Sequence, residues 1–187
     1  MSNIESEHPL LDEKVPFKSK IALGFTNAGN AFLSNMGLGA INLFYLKVTG
    51  IEPGLLAISW LLFALWNAVN DPLLGILEDK TKSSLGRRVP FLRYGAIFYG
   101  IAFVLIWFPF TNKAELLFWN HLLMLFIFDT LFSMIGLITY ALPSEMAITA
   151  NERASTILVS GVIALIGIVP SFLDRKSTRL NSSHGKL

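Results

Sequence analysis

Five long apolar stretches dominate this chain of 187 residues and limit what it can fold into. A helix needs roughly 20 apolar residues to cross a bilayer, and each stretch is long enough. They run over Ile21–Leu46, Leu55–Leu77, Phe91–Phe110, Leu116–Leu142 and Ala154–Leu173. The chain is 15% charged, whereas soluble domains carry about 25% charged residues. The sequence therefore predicts an all-α membrane protein with five transmembrane helices.

The distribution of basic residues predicts how these helices are oriented. Lysines and arginines collect before the first helix and in the linker 79–90, whereas the opposite helix ends carry only Lys47 and Lys113. Basic residues accumulate in cytoplasmic loops. We therefore expect residues 1–20 to form a cytoplasmic N-terminal tail and residues 21–173 to form a transmembrane bundle. The predicted location is the plasma (cytoplasmic) membrane.

The last stretch, 174–187, does not fit this pattern. Residues 174–184 correspond to the translation of a common sequencing-adapter read, and we interpret 174–187 as an artefact. The alternative is a basic juxtamembrane segment that attracts acidic lipids. The stretch carries four basic residues and one acidic residue, a net of +3, so that without it the charge of +2 becomes −1. The basic balance therefore gives no reason to expect a nucleic-acid partner, and the natural chain is expected to continue past Leu173.

Acidic residues inside the apolar stretches are the first candidates for function. Asp71 precedes Asp79 by eight residues, which is about 12 Å of helix. An aspartate at that depth costs roughly 2.5–3.5 kcal/mol, so it should face protein or a water-filled cavity. Pro72 removes a backbone donor next to it and predicts a bend. Asp71, like Asp129 in the fourth helix, could lock two helices together or respond to a proton or a sodium ion.

Neutral polar residues extend this set along the first two helices. Asn27, Asn30 and Ser34 follow the i, i+3, i+7 spacing of one helical face. Such side chains can serve as interhelical hydrogen bonds or as ligands. The predicted substrate or cation pathway consists of Asn27, Asn30, Ser34, Asn67, Asn70, Asp71 and Asp129.

The remaining polar residues are expected to have structural rather than chemical roles. Thr149 and Glu152 have the spacing of a capping box before the fifth helix, and His121 is expected at the outer membrane interface. The sequence contains no nucleophile motif, no phosphate-binding glycine loop and no metalloprotease helix. It therefore predicts neither an enzyme nor a cofactor, apart from a coupling Na⁺ or H⁺.

Two motifs together resemble a known family. "WNAVNDPLLGILEDKTKSSLGRRVPF" (66–91) and "TYALPSEMAITANER" (139–153) are similar to signatures of the major facilitator superfamily. The similarity is to its branch of glycoside–pentoside–hexuronide:cation symporters, the melibiose permease-like transporters. This resemblance implies twelve helices in two six-helix halves that alternate access to a central cavity. The present chain would then be most of the N-terminal half, and its partner would be the missing C-terminal half.

The resemblance also implies roles for individual residues. A cytoplasmic latch would comprise Asp79, Lys80, Arg87, Arg88, Glu145 and Arg153. The branch has a carboxylate one turn before the Asp of its Asn-Asp-Pro motif, and Asn67 stands there in this chain. Its acids of the first and fourth helices would fall at Ala31 and near Ile135.

These observations predict a secondary active transporter that couples a cation to the movement of a sugar or glycoside. Its partners would be the lipid bilayer and a small-molecule solute. One alternative keeps the fold but carries an amphipathic or lysolipid-like substrate, because the sugar-binding acids are replaced. Another is a membrane scaffold that transports nothing. Met1–Leu173 alone is expected not to transport, since it lacks the half against which it would move.

Overall fold

The structure, a computed structural model, describes residues 14–84, 87–111 and 113–166, and every regular element within these ranges is helical. Helix α1 spans Phe17–Phe44 and continues as a π-helical turn over Tyr45–Thr49. Helices α2, α3 and α4 span Pro53–Lys80, Val89–Leu105 and Ala114–Met146. Helix α5 runs from 150 to 166, the last residue described. The prediction of five helices is confirmed, and the predicted stretch 174–187 lies outside the described residues.

Local sequence explains where the helix ends differ from the predicted ones. Helix α3 stops at Leu105 instead of Phe110, because Pro109 follows and cannot donate a backbone hydrogen bond. Helix α5 begins four residues before the predicted Ala154, because the hydroxyl of Thr149 accepts the backbone N–H of Glu152 at 3.2 Å. The capping prediction is thereby confirmed. Helix α2 stays helical through Pro72.

Two of the helices in the described ranges are long and apolar enough to cross a membrane, namely Pro53–Lys80 and Glu115–Met146. Helix α3 is a shorter apolar helix. Large apolar side chains also lie exposed on the outer faces of α2 and α3, among them Leu61, Leu65, Leu73, Ile97, Ile101 and Val104. A contiguous exposed apolar surface is unusual for a soluble monomer but suits one that faces lipid.

The chain divides into two compact units. The central unit is Leu33–Ile138, and the terminal unit combines the described residues before Leu33 with those after Ile138. In the central unit Gly95 lets α3 approach the side chain of Met134 on α4, and the ring of Tyr99 lies 5.0 Å from that of Phe128. Phe128 is fully buried. Helix α4 thus supplies the core of this unit.

The terminal unit packs α1 against α5. Gly24 faces Ile163 so closely that a β-carbon on this glycine would lie 2.7 Å from that of Ile163. At the start of α1, the ammonium of Lys20 donates to Glu152 and to Ser155, both at 2.9 Å. This ion pair joins the two helices through side chains that are largely buried.

Candidate functional site

A pair of buried polar side chains joins α2 to α4 inside the central unit. The amide of Asn70 donates a hydrogen bond of 3.3 Å to Oδ2 of Asp129. Both residues are buried, with exposures of 3% and 2%. The structure therefore brings together two of the residues that the sequence predicted for the pathway.

Asp71 adds a second acid to this pair. It follows Asn70 on α2, is half-buried, and lies close enough to Asp129 for their charges to repel. Its buried Oδ1 has no hydrogen-bond partner in the part of the chain that the structure describes. Within the same ranges, the ion pairs of lysine and arginine involve Glu152, Glu78 and Asp79 rather than Asp71 or Asp129. A buried acid without a basic partner is costly unless a proton or a cation neutralises it.

Aromatic rings flank these acids on both neighbouring helices. Trp66, one turn before Asn70, stacks on Phe126 of α4 with centroids 4.9 Å apart and planes at 10°. Tyr99 of α3 is 2% exposed and lies within electrostatic range of Asp129. The sequence analysis missed Tyr99. The sequence pattern that could have identified Tyr99 is the i, i+4, i+7 spacing of Gly95, Tyr99 and Ala102. These three residues form the buried face of α3.

The other predicted pathway residues are spread over both units. Asn27 and Asn30 belong to the terminal unit, and Ser34 and Asn67 belong to the central unit. All four are half-buried. The side-chain oxygen of Asn30 is buried and has no hydrogen-bond partner among residues 14–84, 87–111 and 113–166. An amide can both donate to and accept from a hydroxyl, so Asn30 remains suited to a polar solute.

The predicted latch residues of the central unit form an ion-pair cluster at the end of α2. Arg88 donates to Asp79 at 3.1 Å, and Arg87 lies 4.0 Å from the same oxygen. Lys80 is exposed. Glu78, which the sequence analysis did not select, is 1% exposed and has an oxygen 3.9 Å from Nε of Arg88. The neighbouring acids of α2 therefore share one arginine.

The latch residues predicted after α4 belong to the terminal unit. Glu145 and Arg153 are both exposed. The half-buried acid of this segment is instead Glu152, which accepts hydrogen bonds from Lys20 and from the backbone N–H of Val15. The hydrogen bond from Lys20 is the main reason that the pKa of Glu152 is lowered. Burial opposes this shift, and the Val15 N–H adds to it.

His121 is fully buried, so the prediction that it lies at the outer interface is wrong. Its Nδ1 lies 2.8 Å from the hydroxyl of Ser59 on α2, and its ring packs edge-on against Tyr45. Three apolar residues of the same helix are also buried. Leu117 lies four residues before His121, and Leu125 and Phe128 lie four and seven residues after it. That periodicity would have placed His121 in the core.

No group of three or more His, Cys, Asp or Glu side chains in the described ranges could hold a metal ion. The site around Asp129 holds two carboxylates, Asp129 and Asp71, and the amide of Asn70. Carboxylate oxygens are hard ligands, which suit protons and hard cations better than soft metals.

The chain is similar in sequence to known transport proteins. A family model described as MFS/sugar transport protein matches residues 19–173. The chain is similar to the uncharacterized symporter sll1374 of Synechocystis, with 29% identity over 147 residues covering 75% of this chain and 27% of that protein. It is 34% identical over 92 residues to the putative glycoside/cation symporter YagG of Escherichia coli, covering 49% and 20%.

A third relative carries a different kind of solute according to its name. The sodium-dependent lysophosphatidylcholine symporter 1 of Xenopus tropicalis is 25% identical over 146 residues, covering 74% of this chain and 28% of that protein. The chain therefore spans between a fifth and little more than a quarter of the length of these relatives. All three are named as symporters, and none is named as an enzyme.

Proposed function

Because this chain belongs to the MFS/sugar transport protein family, whose members are integral membrane transporters, we propose that it forms part of a cation-coupled symporter for a sugar or glycoside. The resemblance to glycoside–pentoside–hexuronide:cation symporters seen in the sequence is confirmed. The observation that carries the coupling proposal is the buried Asp129, whose neighbours are an amide and a second acid.

Cation coupling follows from the charge at this site. Asp71 lies close enough to Asp129 for their charges to repel, and a buried carboxylate such as Asp129 is costly to keep ionised without a compensating positive charge. A transporter can use that charge because the pair binds a proton or Na⁺ when the site is accessible from one side. Releasing the cation to the other side then ties its movement to the conformational change.

The polar residues of α1 and α2 are proposed to contact the solute. Asn27, Asn30 and Ser34 lie on one face of α1, and the amide of Asn67 lies one turn before Asp71 on α2. Amide and hydroxyl groups suit the hydroxyls of a sugar. The name of YagG supports a glycoside as the solute class.

The conformational cycle is proposed to be alternating access, with the ion pairs at the end of α2 acting as a cytoplasmic latch. Asp79 binds Arg88 in this structure. An acid at a helix end can exchange one cationic partner for another between two states. Lys80, Arg87, Glu145 and Arg153 are the further members proposed for this latch.

The membrane arrangement is proposed from the sequence and from the helix lengths. Helices α2 and α4 are long and apolar enough to span the bilayer, and α1, α3 and α5 are proposed to bring the bundle to five of the six helices of an N-terminal half. Residues 1–20 are proposed to lie in the cytoplasm and residues 21–173 to form the bundle. The location is the plasma membrane, and the C-terminal half of the full-length protein is the partner.

A second solute class is supported by one relative. The lysophosphatidylcholine symporter aligns with this chain over 146 residues, so the same fold could carry an amphipathic or lysolipid-like solute. A membrane scaffold without transport is a third alternative. It would explain the buried acids as helix–helix contacts only.

The test uses the full-length gene, obtained first by a long sequencing read across the codon for Leu173. Uptake of radiolabelled glycosides into transport-deficient cells is compared with and without a Na⁺ or proton gradient. Accumulation of a glycoside that depends on one gradient supports the proposal. Gradient-dependent accumulation of a lysolipid but of no glycoside would replace the solute class, and a full-length protein that moves neither would favour the scaffold.

A further inference from the structure

The hydroxyl of Tyr99 is a buried polar group that the proposed mechanism leaves unused. Tyr99 is 2% exposed on α3, and its hydroxyl has no hydrogen-bond partner among the residues the structure describes. Burying a hydroxyl without a hydrogen bond is unfavourable. Apolar lipid around the helices offers no acceptor, so the partner of this group must lie inside the bundle.

The packing of α3 brings this hydroxyl to the side of Asp129. Gly95, one turn before Tyr99, allows α3 to approach the side chain of Met134 on α4. The ring of Tyr99 then lies 5.0 Å from that of Phe128, the residue before Asp129. At this position the hydroxyl and the Asp129 carboxylate interact electrostatically. Helix α3 thus brings one oxygen atom within electrostatic range of Asp129.

Three helices therefore present oxygen atoms around the same acid. Asp129 comes from α4, and Asp71 on α2 presents its buried Oδ1, which has no partner in the described ranges. The amide of Asn70 already holds Oδ2 of Asp129 and fixes the orientation of that carboxylate. Two carboxylates and a phenol are a hard oxygen set for a small monovalent cation. The same set can hold a hydronium ion or a shared proton.

We propose that Tyr99 is a ligand of the coupling cation, completing with Asp129 and Asp71 a monocation site that spans α2, α3 and α4. This inference rests on the proposed cation symport and adds a residue and a helix to it. The neutral phenol oxygen contributes a ligand without adding negative charge.

The test measures cation binding without a transported solute. Purified full-length protein in detergent is heated in NaCl or in choline chloride at the same ionic strength, and then in sodium-free buffers of different pH. A ligand that binds the folded state raises the apparent melting temperature with its concentration. The variants are Tyr99→Phe, which keeps the ring against Phe128, and the control Tyr94→Phe on the same helix, where the side chain is 55% exposed.

A lost hydrogen bond or ligand to a charged group corresponds to a weakening of about tenfold to a hundredfold. We expect Tyr99→Phe to need that much more Na⁺ for half of the stabilisation, whereas Tyr94→Phe behaves as the wild type. If the ion is a proton, Na⁺ has no effect on any variant, and Tyr99→Phe instead shifts the pH at which the stabilisation appears. A Tyr99→Phe protein that matches the wild type in both titrations, or that fails to fold, would overturn the inference.

The variant Asp129→Asn separates this inference from the proposed function. Loss of the cation response in Asp129→Asn but not in Tyr99→Phe leaves cation symport standing and removes Tyr99 from the site. If the wild type itself responds to neither Na⁺ nor pH, cation coupling fails, and the role of Tyr99 fails with it. A response lost in both variants without any glycoside uptake keeps the cation site and rejects the solute.

Discussion

Glu152 in the terminal unit and Asp129 in the central unit are both acids that accept hydrogen bonds from nitrogen, but their partners differ in charge. Glu152 receives the ammonium of Lys20 at 2.9 Å. Asp129 receives the amide of Asn70 at 3.3 Å and has the acid Asp71 in range. Glu152 is therefore paired with a positive charge of the protein itself, whereas the neighbours of Asp129 are an amide and a second acid. The first arrangement holds two helices together, and the second is the one that we propose to respond to an ion.

The largest effect should come from removing the charge of Asp129. In the full-length transporter, Asp129→Asn keeps the shape of the side chain but removes the site for a cation. We expect gradient-driven uptake to fall to the level of untransformed cells while the apparent melting temperature stays the same or rises, because a buried charge has been removed. Uptake assays and thermal unfolding of the same preparations check this.

The matched control is Glu152→Gln, which should have the opposite profile. It should lower the melting temperature and leave the cation dependence of uptake unchanged. If Glu152→Gln abolished cation dependence while Asp129→Asn retained it, the functional difference drawn between the two units would be reversed.

A second, smaller effect concerns the ion pair between Lys20 and Glu152 in the terminal unit. It compares the stability lost when either of the two side chains is removed. The side chain of Lys20 is 8% exposed and that of Glu152 is 20% exposed. Glu152→Ala leaves the more deeply buried ammonium without its counter-charge, and the Val15 N–H also loses its acceptor. Lys20→Met keeps the apolar stem and leaves an acid that water can reach.

We therefore expect Glu152→Ala to lower the apparent melting temperature by about a few degrees more than Lys20→Met does. Circular dichroism or a dye-based melt of the full-length protein measures this. The exposed neighbour Arg153 provides a control, since Arg153→Ala should change the melting temperature little. Equal losses for the two main variants would mean that burial does not decide the asymmetry.

Comparison of the two units also shows how far the sequence alone could lead. The five helices and the Thr149 cap were predictable because hydropathy and capping are local properties of the chain. Asp129 and Asn70 were each selected for their apolar surroundings, but their hydrogen bond depends on the register of α2 against α4. No local pattern specifies that register.

Residues that the sequence analysis missed, such as Lys20 and Tyr99, are of types that are common at their positions. A lysine before a membrane helix indicates a cytoplasmic end, so nothing predicted that Lys20 would turn inward to Glu152. A tyrosine in an apolar helix is equally common, and Tyr99 became notable only once its hydroxyl was found buried. His121 was misplaced because its nearness to the helix end was weighed above its buried periodicity.

A third prediction concerns pH and follows from the lowered pKa of Glu152. In the unfolded chain this acid titrates near the ordinary value of about 4.3, and in the folded protein it titrates lower. The folded state therefore gains stability from Glu152 above the ordinary pKa, and this gain is lost as the pH falls through the folded pKa.

We expect the difference in melting temperature between wild type and Glu152→Gln to be constant from neutral pH down to about 5, and to shrink as the pH falls below about 4. Melting curves across this range measure it. A difference that grew on acidification would show that the carboxylate destabilises the folded state, contrary to its pairing with Lys20.

The smallest effect should come from the polar contacts that surround His121 in the central unit, because the partners that the structure describes there, Ser59, Tyr45 and Asn120, are neutral. The hydroxyl of Tyr45 donates to the side-chain oxygen of Asn120 at 2.7 Å, and both residues are buried. Tyr45→Phe keeps the ring that packs on His121 and removes this one neutral hydrogen bond. Its expected cost is about 1 kcal/mol, with unchanged cation dependence, measured by denaturant or thermal unfolding against Tyr94→Phe. If Tyr45→Phe instead changed the cation response as strongly as Asp129→Asn, neutral contacts of this unit would contribute to coupling, and the difference between the two units could not rest on charge alone.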